Sequence, residues 1–165
     1  MSIWYAGSAD AVRLCVPQPN ELWFRQSLLA DEETMAYNHR WGGAIPFPRE
    51  SWAGWYGAWL CGDERKRFYR YLRLSDTGEF VGEVAYHIDE ERGIALASVI
   101  VAAPFRGRGY GRKGLELLME AAREHGITEL YDDIAIDNPA IVMFLDAGFH
   151  EEYRTDEIIM LKKEL

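Results

Sequence analysis

The pattern of hydrophobic and polar positions predicts mainly helices in the first third of the chain. Residues 21–29 and 51–60 carry apolar side chains at helical spacing, and Asp31 is suited to cap a further short helix that runs to residue 38. Residues 12–16 are typical of a short strand, and the prolines that follow end it because proline cannot donate to a sheet. This region therefore predicts one strand and up to three helices.

Three strands separated by tight turns follow the helical region. They are predicted at residues 68–74, 80–88 and 94–101, and the segments between them are rich in Asp, Glu and Gly. The third strand is almost entirely apolar, which is typical of a strand covered on both faces. The three segments predict a meander whose last strand lies inside a sheet.

The rest of the chain alternates between strand and helix. An apolar stripe at positions i, i+3, i+4 and i+7 predicts an amphipathic helix that ends at Gly126. The stripe consists of Leu115, Leu118, Met119 and Ala122. A strand over residues 129–136, a short helix over 139–147 and a closing hairpin over 150–163 complete the order. We therefore predict one α/β (α+β) domain over residues 1–165, with a mixed, mostly antiparallel sheet flanked by helices on both faces.

Composition narrows the function classes. The net charge of −9 argues against a nucleic-acid binder, which needs a basic surface. Two distant cysteines and four scattered histidines predict neither a disulfide framework nor a metal site. The sequence contains no signal peptide and no apolar run of membrane-spanning length, so we expect a cytoplasmic protein without a membrane partner.

A glycine-rich turn joins the buried strand to the amphipathic helix. It runs through Arg106, Gly107, Arg108, Gly109, Tyr110 and Gly111. Glycine permits positive φ and close approach of the backbone to a ligand, so successive amides can converge on one anion. The positive end of the helix and the two arginines add to the attraction. The turn therefore predicts a site for a diphosphate.

Two other phosphate motifs fit less well. Residues 109–114 match G-x-G-x-x-G, with Asp132 and Asp133 at a suitable distance for a ribose contact, but a dinucleotide fold needs parallel strand–helix units on both sides. A P-loop needs Ser or Thr after its lysine, whereas Gly114 follows Lys113. The order of elements therefore argues against a dinucleotide fold, and the residue after the lysine argues against a P-loop.

The sequence resembles the GNAT acetyltransferase superfamily in two segments. Residues 99–111 are similar to the family's cofactor motif, with its R-x-x-G-x-G core. Residues 137–140, followed by Phe144 and the pair Gly148 and Phe149, are similar to the C-terminal motif. With the strand order, the resemblance covers roughly residues 67–163, and residues 31–35 are similar to the ribosomal-protein alanine acetyltransferase branch.

The resemblance implies an N-acetyltransferase that uses acetyl-CoA. A primary amine, on a small molecule or a protein N-terminus, would attack the thioester directly in a ternary complex. A homodimer is compatible with this prediction. The residues that would contact the cofactor are Val99, Val101, Arg106, Gly107, Arg108, Gly109, Tyr110, Gly111, Asn138 and Phe144.

The sequence departs from the family pattern at the groups that move protons. Many relatives have a tyrosine acid at the position of Phe144, which cannot donate a proton. Tyr110, Tyr131 and Tyr153 are alternative donors, and a thiolate can also leave unaided. The segment between Asn138 and the final glycine is also one residue short. A non-catalytic acyl-CoA-binding or sensing module is therefore the alternative function.

The general base must come from outside the cofactor strand, because residues 94–101 contain no carboxylate. Strand alternation predicts that Glu83 and His87 share a face with Val81 and Ala85, where they could form a proton relay or a pair without chemistry.

The remaining polar candidates lie in two places. Asn38, His39 and Trp41 precede a stiff aromatic loop and are candidates for the acceptor site. Asp132 and Asp133 lie inside a predicted strand, where we expect at least one to need a hydrogen-bond partner and to have a structural role.

Overall fold

A computed structural model describes residues 9–165 and contains one seven-stranded sheet with the order β1-β2-β3-β4-β5-β7-β6. Its strands are β1 (Val12–Cys15), β2 (Arg67–Leu74), β3 (Phe80–Asp89), β4 (Ile94–Val101), β5 (Glu129–Ala135), β6 (His150–Arg154) and β7 (Ile158–Glu164). All neighbouring strands are antiparallel except β4 and β5, which run parallel. The predicted mixed, mostly antiparallel sheet is confirmed.

Helices cover the sheet as the pattern predicts. In the described residues the α-helices are α1 (Trp23–Ala30), α2 (Trp52–Leu60), α3 (Tyr110–Glu124) and α4 (Ala140–Asp146). The predicted segment after Asp31 is a 3-10 helix, Thr34–Trp41, and the Asp31 carboxylate accepts a hydrogen bond from the backbone N–H of Thr34 at 3.1 Å. No helix among residues 9–165 is long and apolar enough to cross a membrane.

The two faces of the sheet carry separate hydrophobic cores. The four predicted stripe residues of α3 are buried against one face, in a core that also includes Phe144 of α4. Leu28 of α1 and Trp52 of α2 are buried against the other face, with Tyr69 and Ile100 from the strands. The central strands are therefore covered on both sides, which explains their apolar sequence.

A bulge in β3 changes which side chains share a face. Leu72 of β2 pairs with Gly82, whereas the next residue, Arg73, pairs with Phe80, so Val81 is an extra residue. The predicted grouping of Val81 with Glu83 is therefore wrong: Val81 is buried in the core beneath α3, and Phe80 packs on the opposite core. Simple alternation fails because the bulge reverses the phase of the strand.

The sheet opens between β4 and β5. Only two residue pairs join these strands, Ala95 with Leu130 and Leu96 with Tyr131. Beyond them β4 continues to Val101 beside β3, while β5 continues to Ala135 beside β7. The gap between the two strands leaves backbone groups of β4 without a sheet partner on that side.

Gly82 fixes the approach of β3 to the end of β4. A Cβ at this position would lie 2.3 Å from the carbonyl oxygen of Ile100. We expect Gly82→Ala to lower the free energy of unfolding by ~1–3 kcal/mol, because backbone must shift to relieve the overlap.

Urea unfolding measures this loss. Gly57→Ala in α2 is the control, because a Cβ there meets no atom within 4 Å and should raise stability slightly. Equal stability of the two variants would contradict the close approach at Gly82.

Candidate active site

A cavity of about 740 Å³ lies at the carboxyl end of β4. Its walls come from the end of β4, the glycine-rich turn, the start of α3 and the segment that leads into α4. The lining includes nine of the residues predicted to bind the cofactor or the acceptor: Val99, Val101, Arg106, Gly107, Gly109, Tyr110, Gly111, Asn138 and His39. The structure thus brings both cofactor segments to one cavity.

The turn has the geometry that the glycines predict. Gly107 and Gly109 have φ values of 78° and 84°, and Gly109 is the N-cap of α3. In the described chain, no hydrogen bond is formed by the backbone N–H groups from Gly107 to Gly111. A Cβ on Gly111 would lie 3.1 Å from the Met143 sulfur, so glycine also keeps α3 close to α4. Free amides at the start of a 15-residue helix suit an anionic group.

The side chains of the two turn arginines contact other parts of the protein. The Arg106 guanidinium donates hydrogen bonds to the carbonyl of Thr34 at 2.6 Å and to that of Val101 at 3.2 Å. The Arg106 side chain therefore ties the turn to the 3-10 helix through backbone carbonyl groups. Arg108 lies over the ring of Phe105, 5.8 Å from its centre.

A second cavity, of about 360 Å³, adjoins the first. Tyr37, Val99, Asn138 and Ala140 line both, so the two cavities meet at the gap between β4 and β5. A group that enters one cavity can therefore reach a group held in the other.

The 3-10 helix lies across this gap. His39 contacts Asp137 at 2.9 Å, and Arg40 approaches the same carboxylate at 3.6 Å. The His39 hydrogen bond, with the charge of Arg40, holds the pKa of Asp137 below its usual value. The contact joins the 3-10 helix to the segment that leads into α4.

The predicted acceptor residues surround the meeting point. Asn38 and Trp41 line the smaller cavity and His39 lines the larger one. Trp41 is 53% exposed, so its ring is available at the surface, whereas the Asn38 side chain donates to the carbonyl of Gly43 at 2.8 Å. Sequence reasoning missed Tyr37, the neighbouring residue that lines both cavities.

Glu83 is buried in an ion pair. Its carboxylate lies 2.6 and 2.7 Å from one Arg25 nitrogen and accepts a hydrogen bond from the Tyr69 hydroxyl. The Arg25 guanidinium in turn lies 4.5 Å from the centre of the Trp55 ring. Because Glu83 is 4% exposed and lines neither cavity, these contacts compensate a buried charge.

His87 lies apart from Glu83. Its ring packs at 5.9 Å from that of Trp59, and burial lowers its pKa. No hydrogen bond joins the two side chains, and His87 also lines neither cavity. A proton relay through Glu83 and His87 stays a prediction, and neither side chain lines the cavities at the gap between β4 and β5.

Asp132 has an unexpected position. It lines the smaller cavity, and no hydrogen bond or ion pair reaches its carboxyl group within residues 9–165. Burial, and then the neighbouring charge of Asp133, raise its pKa well above the usual value. Of the two aspartates, of which at least one was expected to have a partner, Asp133 lies 3.9 Å from the Arg92 guanidinium, whereas Asp132 has no such contact in the described chain. The sequence contained one signal for this position: Asp132 alternates with Leu130 and Ile134, so all three side chains should share the buried face of the strand.

The possible proton donors are distributed unevenly. Phe144 is 2% exposed, lines the smaller cavity and packs edge-on against Phe149. Tyr110 lines the larger cavity, and its buried hydroxyl has no partner among the described residues. Tyr131 and Tyr153 line neither cavity. In residues 9–165, no group of three or more His, Cys, Asp or Glu side chains could hold a metal ion.

A parallel opening in a mixed sheet, beside a glycine turn with free amides, defines a class of acyl-CoA-dependent transferases. The model of the Acetyltransferase (GNAT) family matches residues 27–149, and the chain belongs to this family. It is therefore an acyltransferase. No curated protein sequence matches the chain.

Solved structures share the fold at low sequence identity. A spermidine N-acetyltransferase from Vibrio cholerae, in complex with CoA and spermine, has a TM-score of 0.78 and 16% identity, over 94% of this chain and 96% of that one. A structure from Salmonella typhimurium with its cofactor acetyl-CoA has a TM-score of 0.75 and 17% identity, over 94% of both chains. A ribosomal-protein-alanine N-acetyltransferase from Brucella melitensis has a TM-score of 0.73 and 24% identity, over 93% and 99%.

We expect Gly109→Val to abolish binding of coenzyme A. The side chain would project from the N-cap of α3, and valine is strained at a φ of 84°. Isothermal titration with coenzyme A measures the affinity.

Gly93→Val is the matched control, because Gly93 has a φ of 67° in the β3–β4 turn and lines neither cavity. It should show the same kind of strain and keep its affinity. Unchanged binding by Gly109→Val would refute the anion site.

The Arg25–Glu83 pair gives a prediction about stability. Glu83→Leu should lower the free energy of unfolding by ~3 kcal/mol, because it leaves the Arg25 charge buried without a partner. The double variant with Arg25→Met removes both charges and should recover much of the loss. Urea unfolding measures both. A double variant less stable than Glu83→Leu would show that the pair itself is not the source of the loss.

Proposed function

We propose that the protein transfers an acetyl group from acetyl-CoA to a primary amine, by direct attack of the amine in a ternary complex. The observation that carries the proposal is the meeting of two cavities at the gap between β4 and β5. One cavity would hold the donor substrate and the other the acceptor, so that the reacting groups meet inside the sheet. The acceptor would be a small molecule or a protein N-terminus.

The residues of the larger cavity fit a coenzyme A donor. The free amides from Gly107 to Gly111 would bind the pyrophosphate, with the start of α3 adding a favourable potential. The backbone of β4 near Val99 and Val101 lacks a partner on the gap side and would bind the pantetheine arm. An N–H group of this strand would also polarise the thioester carbonyl. Asn138 would contact the arm from the opposite wall.

The smaller cavity would hold the amine acceptor. Its wall combines the rings of Tyr37 and Trp41 with the polar groups of Asn38 and Ser98. The two named structural relatives above, which act on spermidine and on a protein's alanine, support an amine as the acceptor. Neither Glu83 nor His87 reaches this cavity, so we expect the amine to lose its proton to solvent there.

We also propose a cytoplasmic location, where acetyl-CoA is available. Both cysteines, Cys15 and Cys61, are free thiols, which suits a reducing compartment. A homodimer stays compatible with the proposal, and the acceptor cavity described above is formed within one chain.

A panel of amines tests the proposed activity. The protein is incubated with acetyl-CoA and either polyamines, amino acids or peptides with free N-termini, and release of free thiol is followed. We expect turnover with at least one class of primary amine and none with the same amine already acetylated. Tight coenzyme A binding without turnover on any amine would favour the non-catalytic sensing module instead.

A further inference from the structure

We propose that Asp132, as a neutral carboxylic acid, donates the proton that the coenzyme A sulfur takes up when it leaves. Asp132 would thereby replace the tyrosine acid that this chain lacks at Phe144. The inference rests on the proposed acetyl transfer and adds a catalytic residue to it.

The register of β5 places the Asp132 side chain on the cofactor face of the sheet. Asp132 is the antiparallel partner of Leu161, and partners in an antiparallel pair project to the same side. Leu161 is buried in the core beneath α3 and α4, as are Leu130 and Ile134, two residues before and after Asp132. On this face of β5, the Asp132 carboxyl group therefore lies between two buried apolar side chains, Leu130 and Ile134.

The same cavity wall contains the position of the missing acid. Asp132 and Phe144 line the smaller cavity together with Val99 and Ala140, and the last two residues also line the larger cavity. Phe144 presents only a hydrocarbon ring there. Asp132 and Asp133 share this cavity with the phenylalanine and with Val99 of β4, and of the two only Asp132 is on the cofactor face of β5.

The surroundings of Asp132 favour its protonated form. The titratable groups that line its cavity are Tyr37, from the 3-10 helix, and Asp133, from β5 itself. Neither is a cation, and the Arg25 and Arg106 guanidinium groups are bonded to other partners. Burial, with the charge of Asp133 beside it, raises the pKa of Asp132 well above its usual value.

The nearby phenols are less suitable donors. Burial, with the charge of Glu83, raises the pKa of Tyr37 above that of an ordinary phenol. Transfer of its proton to a thiolate, whose conjugate acid has a pKa near 8.5, would therefore be unfavourable. The Tyr110 hydroxyl is buried at the start of α3 and lines only the larger cavity.

The proposed step balances. The amine nitrogen forms a bond to the acetyl carbon, the bond from that carbon to sulfur breaks, and the Asp132 proton passes to the sulfur. The attacking nitrogen releases one proton to solvent through the smaller cavity, and Asp132 regains one proton from solvent. The net change is transfer of the acetyl group, with one free thiol formed.

Asp132→Asn tests the role, because asparagine keeps the shape and cannot supply the proton. We expect kcat to fall by about 10²-fold or more, with little change in coenzyme A affinity. Asp76→Asn is the matched control, because this exposed carboxylate in the β2–β3 turn lines neither cavity, and it should keep the wild-type activity. The wild-type rate should also decline on the alkaline side as Asp132 ionises, and this decline should be absent in Asp132→Asn.

A rescue separates catalysis from structure. Adding Phe144→Tyr to Asp132→Asn returns a proton donor to the same cavity and should recover part of the lost kcat. A residue with only a structural role would not be replaced in this way.

The protonation state has a readout that does not require turnover. Wild type minus Asp132→Asn infrared spectra should show the carbonyl band of a neutral carboxylic acid at neutral pH. Asp132 binds its proton more tightly in the folded than in the unfolded state, so its penalty to stability grows as pH rises above the unfolded pKa, near 3.9. Asp132→Asn should therefore be the more stable protein at pH 7, and the difference should vanish towards pH 3.

An unchanged kcat in Asp132→Asn, a loss confined to coenzyme A affinity, or an ionised Asp132 at neutral pH would each overturn the inference. In all three cases wild-type acetyl transfer would still stand. Absence of wild-type turnover on every amine would instead overturn the proposed function itself.

Discussion

The separation of β4 from β5 is the constraint on which the site depends. Two residue pairs hold the strands together at one end, and each strand then follows a different neighbour. Backbone N–H and C=O groups that a continuous sheet would pair are left open in the gap, where hydrogen bonds to an extended ligand are most valuable. The glycine turn continues this series of open amides beyond the end of β4.

Contacts with the first third of the chain hold the walls of the gap in place. Arg106 ties the turn to the carbonyl of Thr34, whose hydroxyl accepts the N–H of Ala103 at 3.0 Å. His39 and Asp137 join the same 3-10 helix to the segment before α4. The N-terminal segment therefore does more than form an acceptor surface, because it also fixes the turn and the opposite wall relative to β4.

Elements with strong periodicity were predictable from the sequence, and long-range partners were not. The stripe on α3, the strands of the meander and the positive φ of Gly109 follow from local pattern and steric limits. The bulge at Val81 reverses the phase of β3, and Glu83 is neutralised by Arg25, 58 residues earlier in the chain. Asp132 was visible as a carboxylate in a strand, but only the tertiary register shows that its side chain lacks a partner and lines the gap.

Hydrogen exchange with and without coenzyme A tests most directly whether the gap is the donor site. We expect coenzyme A to slow exchange in two segments, the end of β4 over residues 97–101 and the turn over residues 107–111, because their open amides acquire acceptors. The amides of β6, at the far edge of the sheet, should exchange at an unchanged rate. Binding of coenzyme A with no added protection in either segment would contradict the account.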